Sequence, residues 1–176
     1  MVVVYLRHGE DEKSSYKYDQ KLTETGKKQA IQLAKKLIKK HGIPDIIYYS
    51  PYVRTRQTLK YMMKAIKKYR ERNYNDKEKK PSLEVDPRLG RFFTKSERKN
   101  PDVRESTLEK GAIIKEDKEQ FRYRIKEQLE EVLLSHQENN EPVIWNITHT
   151  LVLLRVAEFT NKSLPEHLEF LQTVTL

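Results

Sequence analysis

The sequence predicts a three-layer α/β sandwich in which helices flank a mostly parallel central sheet. Three observations carry this. Short apolar runs rich in β-branched and aromatic residues recur at 2–6, 45–50 and 143–147; segments with apolar residues at helical spacing separate them; and the two kinds alternate in the order β-α-β-α-β, a long loop, then α-β-α-β. Such continuous apolar runs belong to strands buried on both faces, and parallel strands need helical crossovers between them.

The first run, Val2 to Leu6, stops at Arg7-His8-Gly9, as a core strand ending in a turn does. Ala30, Ile31, Leu33, Ala34, Leu37 and Ile38 form the apolar stripe of a helix over 26–41, which Gly42 and Pro44 close. Asp19, Leu22, Thr23 and Gly26 are read as folding elements, a cap and a close packing point. Residues 45–50 make a second buried strand, and Pro51 stands where the next helix starts, with Leu59, Met62, Met63, Ile66 and Tyr69 as its stripe. A polar connection over 71–81 leads to a short strand at 83–86. The stretch 88–117 has no sustained period, and structureless segments of that length are usually functional, so a lid over a site is expected there. Phe121, Ile125, Leu129, Val132 and Leu133 mark another helix, 143–147 a strand, 151–159 a helix and 168–176 a final strand.

Composition bounds the function. A chain of 176 residues is long enough for one self-sufficient core, so a single domain over 1–176 is expected. Hydrophobic residues make up 36% and charged residues 35%, but the clustering of the apolar ones argues against disorder. The absence of Cys excludes a disulfide framework and a thiolate zinc site, and fits a reducing compartment. No apolar run approaches the ~20 residues needed to span a bilayer, and the N-terminus has no leader pattern. A soluble, cytoplasmic protein without a membrane partner is expected. The net charge of +9 favours anionic ligands. Lys64, Lys67, Lys68, Arg70 and Arg72 read as a solvated helix face, and without aromatic residues interleaved to stack bases no nucleic-acid partner is expected.

Ligands of open α/β sheets bind beyond the carboxyl ends of the strands. There the sequence places Arg7-His8-Gly9-Glu10, Ser50-Pro51-Tyr52-Val53-Arg54-Thr55-Arg56-Gln57-Thr58 and Asn146-Ile147-Thr148-His149-Thr150. Two His and two Arg thus converge, while His41, His136 and His167 fall at helix ends or in polar surroundings and read as structural, and Arg56 as surface.

The ordered set resembles the histidine phosphatases, the phosphoglycerate mutase-like superfamily, in size closest to its minimal phosphatases. The resemblance rests on Leu6-Arg7-His8-Gly9-Glu10, on Asp19, Leu22-Thr23, Gly26 and Gln29-Ala30, on Ser50-Pro51 with Arg54 and Gln57-Thr58, and on His149 after a buried strand. It covers about residues 1–60 and 140–160, and between 70 and 140 extends only to the general layout. It implies a metal-independent phosphatase without a cofactor: His8 as nucleophile forming a phosphohistidine, with Arg7, Arg54 and His149 around the transferring phosphoryl group. Gly9, Ser14, Thr150 and Arg91 are the candidate substrate-binding positions, with backbone N–H groups after His8 and His149 as further donors.

Two positions depart from the family's pattern. The leaving-group acid expected in a Leu-x-Glu segment is replaced in Leu89-Gly90-Arg91, and the alternative Asp after the second His is replaced by Thr150. Ser14 or Ser15 stands where many relatives carry Asn. Glu10, Glu97, Asp102 and Glu105 are the candidate acids. Lack of general acid catalysis costs about 10²–10⁴-fold with a poor leaving group, so a phosphoprotein (phosphohistidine or phosphotyrosine) or a reactive small phosphate is expected in preference to a glycerate or sugar phosphate, and mutase activity is not expected. Arg91, Lys95, Arg98, Lys99 and Arg104 fall in the expected lid, where they would steer an anion or serve as surface charge. The alternative is a basic phosphate-binding or scaffold module of the same fold with weak turnover. The oligomeric state is left open.

Overall fold

The computed structural model describes residues 1–12, 20–73, 80–93, 116–136, 141–164 and 172–176. Strands are β1 (Val2–Arg7), β2 (Ile46–Tyr49), β3 (Ser82–Val85), β4 (Val143–Thr148) and β5 (Thr173–Thr175). Helices are α1 (Glu24–His41), α2 (Val53–Asn73), α3 (Lys118–Ser135) and α4 (Thr150–Phe159), with a 3₁₀ turn at Pro87–Leu89. The five-stranded sheet has the order β3-β2-β4-β1-β5, and only β5 runs antiparallel to its neighbour.

The strand pleat sorts the core into two layers of contacts. Val4, Leu6, Ile47, Trp145 and Ile147 face α1 and α2, packing with Ala30, Ala34, Leu37, Met62 and Ile66. Val3, Tyr5 and Ile144 face the opposite side, packing with Ile125 and Leu129 of α3 and Val152, Leu153 and Val156 of α4. The uninterrupted apolar runs of β1 and β4 follow from this, since alternate side chains enter different but equally apolar layers. On the α3 side a buried polar chain runs from Tyr5, whose hydroxyl donates to Gln128 Oε1 at 2.8 Å, to Gln128 Nε2, which donates to Asn146 Oδ1 at 3.2 Å.

Boundaries differ from the sequence expectation for local reasons. Helix α1 begins at Glu24, because Thr23 caps it and its hydroxyl accepts from Gly26 N–H at 3.0 Å. Gly42, with φ 86°, ends it in a conformation suited to glycine. Helix α2 starts two residues after Pro51, and Tyr69 lies 37% exposed at the end of its stripe. Among the described residues the final strand spans Thr173–Thr175, and 165–171 lie outside them. Of the expected lid only 88–93 and 116–117 are described, and the 3₁₀ turn gives its first residues a regular structure.

Gly26 is the close packing point expected of it. A Cβ there would lie 2.1 Å from the backbone oxygen of Glu10 and 2.8 Å from its nitrogen, and backbone cannot yield as a flexible side chain can. Gly26→Ala is therefore expected to destabilise the fold by about 3 kcal/mol. Urea unfolding measures this, and an unchanged midpoint would contradict the packing.

Candidate functional site

Sheet register brings the two sequence-distant histidines together. Arg7 pairs with Thr148 across the parallel β1/β4 ladder, so His8 and His149 are the next residues of adjacent strands, and the His8 N–H donates to Thr148 O at 3.0 Å. On the other side of β4, Ser50 N–H donates to Ile147 O at 3.1 Å, which brings Arg54 on the first turn of α2 to the same edge. The three strand ends open into a cavity of about 260 Å³ lined by Arg7, His8 and Asp11 from the end of β1 and its loop, Arg54 from α2, and Arg91 and Phe92 after the 3₁₀ turn. Gln20, His149, Thr150 and Leu151 complete the lining. Thr150 and Leu151 open helix α4, whose first N–H groups and positive dipole end favour an anion in the cavity.

The orientation of His8 follows from its neighbour. Its Nδ1 lies 2.8 Å from the carbonyl oxygen of Gly9. A carbonyl only accepts, so Nδ1 carries the proton and Nε2 the lone pair. Burial, reinforced by the Arg54, Arg7 and Arg91 cations, holds His8 well below the ordinary histidine range and so neutral.

His149 is argued the same way. Its Nδ1 faces Arg54 Nε at 3.4 Å and Nη2 at 3.3 Å, and a guanidinium only donates, so Nδ1 accepts. Nε2 therefore carries the proton and donates to Ser50 Oγ at 2.9 Å. Burial, followed by Arg54 and His8, depresses its pKa strongly as well. The ring stands edge-on to His8 with centroids 5.2 Å apart, and edge-on to Tyr52 at 5.0 Å. Arg54 is 5% exposed and lies 5.4 Å over the Tyr52 ring, and burial lowers its pKa to about 10, which leaves it a cation at neutrality.

The other motif residues position these groups. Gly9 N–H donates to Thr58 Oγ1 at 3.0 Å, Glu10 N–H to Gln29 Oε1 at 3.1 Å and Leu22 N–H to Gln57 Oε1 at 2.7 Å. Gln29, Gln57 and Thr58 thus tie the loop after β1 to both helices. Arg124 donates to the carbonyl of Gly90 at 3.2 Å and to that of Arg88, and its fork is matched by Glu116. This clamp holds the turn that delivers Arg91, whose guanidinium lies 4.9 Å over Phe93.

The candidate residues separate accordingly. Arg7, His8, Arg54, His149, Arg91 and Thr150 are brought together around the cavity. Gly9 is not among its lining residues: its N–H donates to Thr58 Oγ1, and a Cβ there would lie 2.6 Å from Gly26 O. Glu10 is turned to Thr23, whose hydroxyl donates to its Oε1 at 2.8 Å, and it does not line the cavity either. Ser14, Glu97, Asp102 and Glu105, like Lys95, Arg98, Lys99 and Arg104, lie outside the described residues. Asp11 was missed. It pairs with Leu22 in an antiparallel bridge, and successive residues of an extended segment point to opposite sides, so Glu10 and Asp11 diverge and the second enters the cavity. The adjacent Glu-Asp pair was visible in the sequence, but its parity was not.

The depressed histidines make stability pH-dependent. The unfolded chain protonates His near pH 6.5, whereas the folded chain holds His8 and His149 neutral to lower pH. Their contribution is complete above about pH 6.5 and is lost below it, each removing up to ~1.4 kcal/mol per pH unit until it protonates in the folded state. Urea unfolding at about pH 7.5 and pH 5.5 is expected to show this loss, and a shallower one in His8→Asn; the same fall in both proteins would contradict it.

Comparison with known proteins bears on the whole chain. Residues 3–173 match the family model of the histidine phosphatase superfamily (branch 1). No curated protein matches the sequence. Similar solved structures include the ecdysone phosphate phosphatase from Bombix mori in complex with tungstate, at TM-score 0.68 and 13% identity over 99% of this chain and 88% of that one. Phosphoglycerate mutase from Bacillus anthracis aligns at TM-score 0.64 and 17% identity over 99% and 87%, and the protein histidine phosphatase SixA, complexed with tungstate, at 0.55 and 20% over 90% and 76%. At these identities the likeness establishes the shared fold. Among the described residues no helix is long and apolar enough to cross a membrane, and no group of three or more His, Asp or Glu could hold a metal ion. With a family match spanning nearly its whole length, the chain belongs to the histidine phosphatase superfamily.

Proposed function

We propose that the chain is a phosphatase that hydrolyses a phosphomonoester or phosphoramidate through a phosphohistidine at His8. The observation that carries this reading is the Gly9 carbonyl holding the His8 proton on Nδ1, which leaves the Nε2 lone pair on a ring that lines a cavity rich in cations. In the first half-reaction Nε2 attacks phosphorus and the bond to the leaving group breaks. In the second, water attacks phosphorus, the P–N bond breaks and its electron pair returns to Nε2. Arg7, Arg54 and Arg91 place charge on the equatorial oxygens, Thr150 and the N–H groups opening α4 add donors, and His149 orients Arg54. Neutral His8 is required for attack, so kcat/KM is expected to keep its value down to below the ordinary histidine pKa.

Phosphohistidine, phosphotyrosine or a reactive small phosphate is the proposed substrate class, because Arg91 and Thr150 occupy the two positions where a leaving-group acid was expected. Alkyl phosphates are expected to turn over about 10²-fold or more slowly than aryl phosphates, because an alkoxide leaves far less readily than a phenolate even where an acid elsewhere in the cavity assists it. The test is hydrolysis of p-nitrophenyl phosphate with a chelator present. Turnover unaffected by the chelator supports the reading; no turnover with phosphate still bound would favour a binding module instead.

A further inference from the structure

We propose that Asp11 is the proton donor of this site, delivering a proton to the leaving oxygen of a phosphate ester whose leaving group is a phenol, as in phosphotyrosine. This rests on the phosphatase reading above, supplies from another position the acid that Arg91 and Thr150 do not, and narrows the substrate class to esters whose leaving group such an acid assists. Asp11 is the one carboxylate among the described residues that line the cavity with His8, and its side chain is 15% exposed. Its direction is set by the backbone: the bridge to Leu22, and the Glu12 N–H donating to Lys21 O at 2.9 Å, hold the segment extended, so Glu10 turns to Thr23 and Asp11 to the cavity.

The charges facing Asp11 come from three elements. Arg54 Nη1 of α2 lies 3.7 Å from Asp11 Oδ2, an ion pair longer than a hydrogen bond, and Arg7 at the end of β1 and Arg91 after the 3₁₀ turn add weaker attraction. Burial nonetheless outweighs these cations and raises the Asp11 pKa. A phosphate dianion entering the cavity would take Arg54 as its own partner and repel a neighbouring carboxylate, so substrate binding itself favours the protonated acid.

The step balances. As the Nε2–P bond forms and the bond from phosphorus to the phenolic oxygen breaks, the Asp11 proton passes to that oxygen and a neutral phenol leaves. In the second half-reaction the Asp11 carboxylate takes a proton from the attacking water, which restores the acid. A phenol of pKa near 10, such as that of Tyr, gains substantially from such a donor, whereas p-nitrophenolate leaves without one.

The experiment compares kcat/KM for phenyl phosphate and p-nitrophenyl phosphate in the wild type, Asp11→Asn, Asp11→Glu and His8→Ala. Asp11→Asn is expected to lose about 10²–10⁴-fold on phenyl phosphate and less than about tenfold on p-nitrophenyl phosphate, with the basic limb of the phenyl phosphate pH profile abolished and partial recovery in Asp11→Glu. Retained turnover of the activated ester reports an intact fold. Equal losses on both esters would reduce Asp11 to a support for Arg54 and overturn the proposal, as would undiminished turnover of phenyl phosphate. Either result with His8→Ala inactive leaves the phosphatase reading standing, whereas turnover surviving in His8→Ala removes that reading and this one with it.

Discussion

Replacing His8 by Ala is expected to lower kcat for p-nitrophenyl phosphate by roughly 10⁴-fold or more while leaving the fold in place. The ring lines the cavity at the strand end, so its removal enlarges a space that is already open. Its loss removes the covalent route altogether, since the other cavity imidazole is committed elsewhere: His149 donates from Nε2 to Ser50 Oγ and accepts at Nδ1 from Arg54. The residual rate would then be what the cations and the α4 N-terminus achieve with water as direct nucleophile. Retention of more than about a tenth of the wild-type kcat would mean that water, not His8, attacks phosphorus. Circular dichroism and the urea midpoint separate a chemical loss from unfolding.

Arg54→Lys carries the second large effect, a fall of about 10²–10³-fold in kcat/KM despite the retained charge. Arg54 contacts His149 through Nε and Nη2 while Nη1 faces Asp11, three directions from one planar group. An ammonium is a point charge and cannot hold that fork or present two parallel donors to phosphate oxygens. Steady-state kinetics with p-nitrophenyl phosphate check this. Near-wild-type kcat/KM in the Lys variant would show that charge alone suffices and that the fork geometry is dispensable.

These effects arise from contacts of very different legibility in the sequence. The apolar runs of β1 and β4 announce strands buried on both sides, and the pleat confirms it by sending Val4 and Leu6 to one helical layer and Val3 and Tyr5 to the other. The glutamines and Thr58 were readable only as companions of His8 and Arg54. Their physical part, accepting from the N–H groups of Gly9, Glu10 and Leu22, depends on tertiary approach that no local pattern encodes. Asp11 was hidden for a similar reason: parity along a short extended segment decides which of two adjacent acids enters the cavity, and that parity is set by the bridge to Leu22. Arg124 carries no sequence signal that sets it apart from the other charged residues of α3, yet it is 6% exposed and clamps the turn before Arg91. Among the described residues of the strand read at 168–176, only Thr173–Thr175 pair with β1, because a half-apolar stretch carries no signal for where pairing stops.

The central claim is a covalent phosphoryl group on His8, and rapid quenching tests it most directly. The wild type is mixed with p-nitrophenyl phosphate, quenched in alkali within the first turnover, digested and analysed by mass spectrometry. The account predicts an acid-labile, alkali-stable phosphoryl group on the peptide carrying His8, formed as fast as the burst of p-nitrophenol and absent from His8→Ala. Steady turnover of p-nitrophenyl phosphate with no burst and no phosphorylated His8 peptide at any quench time, from the same enzyme, would contradict it.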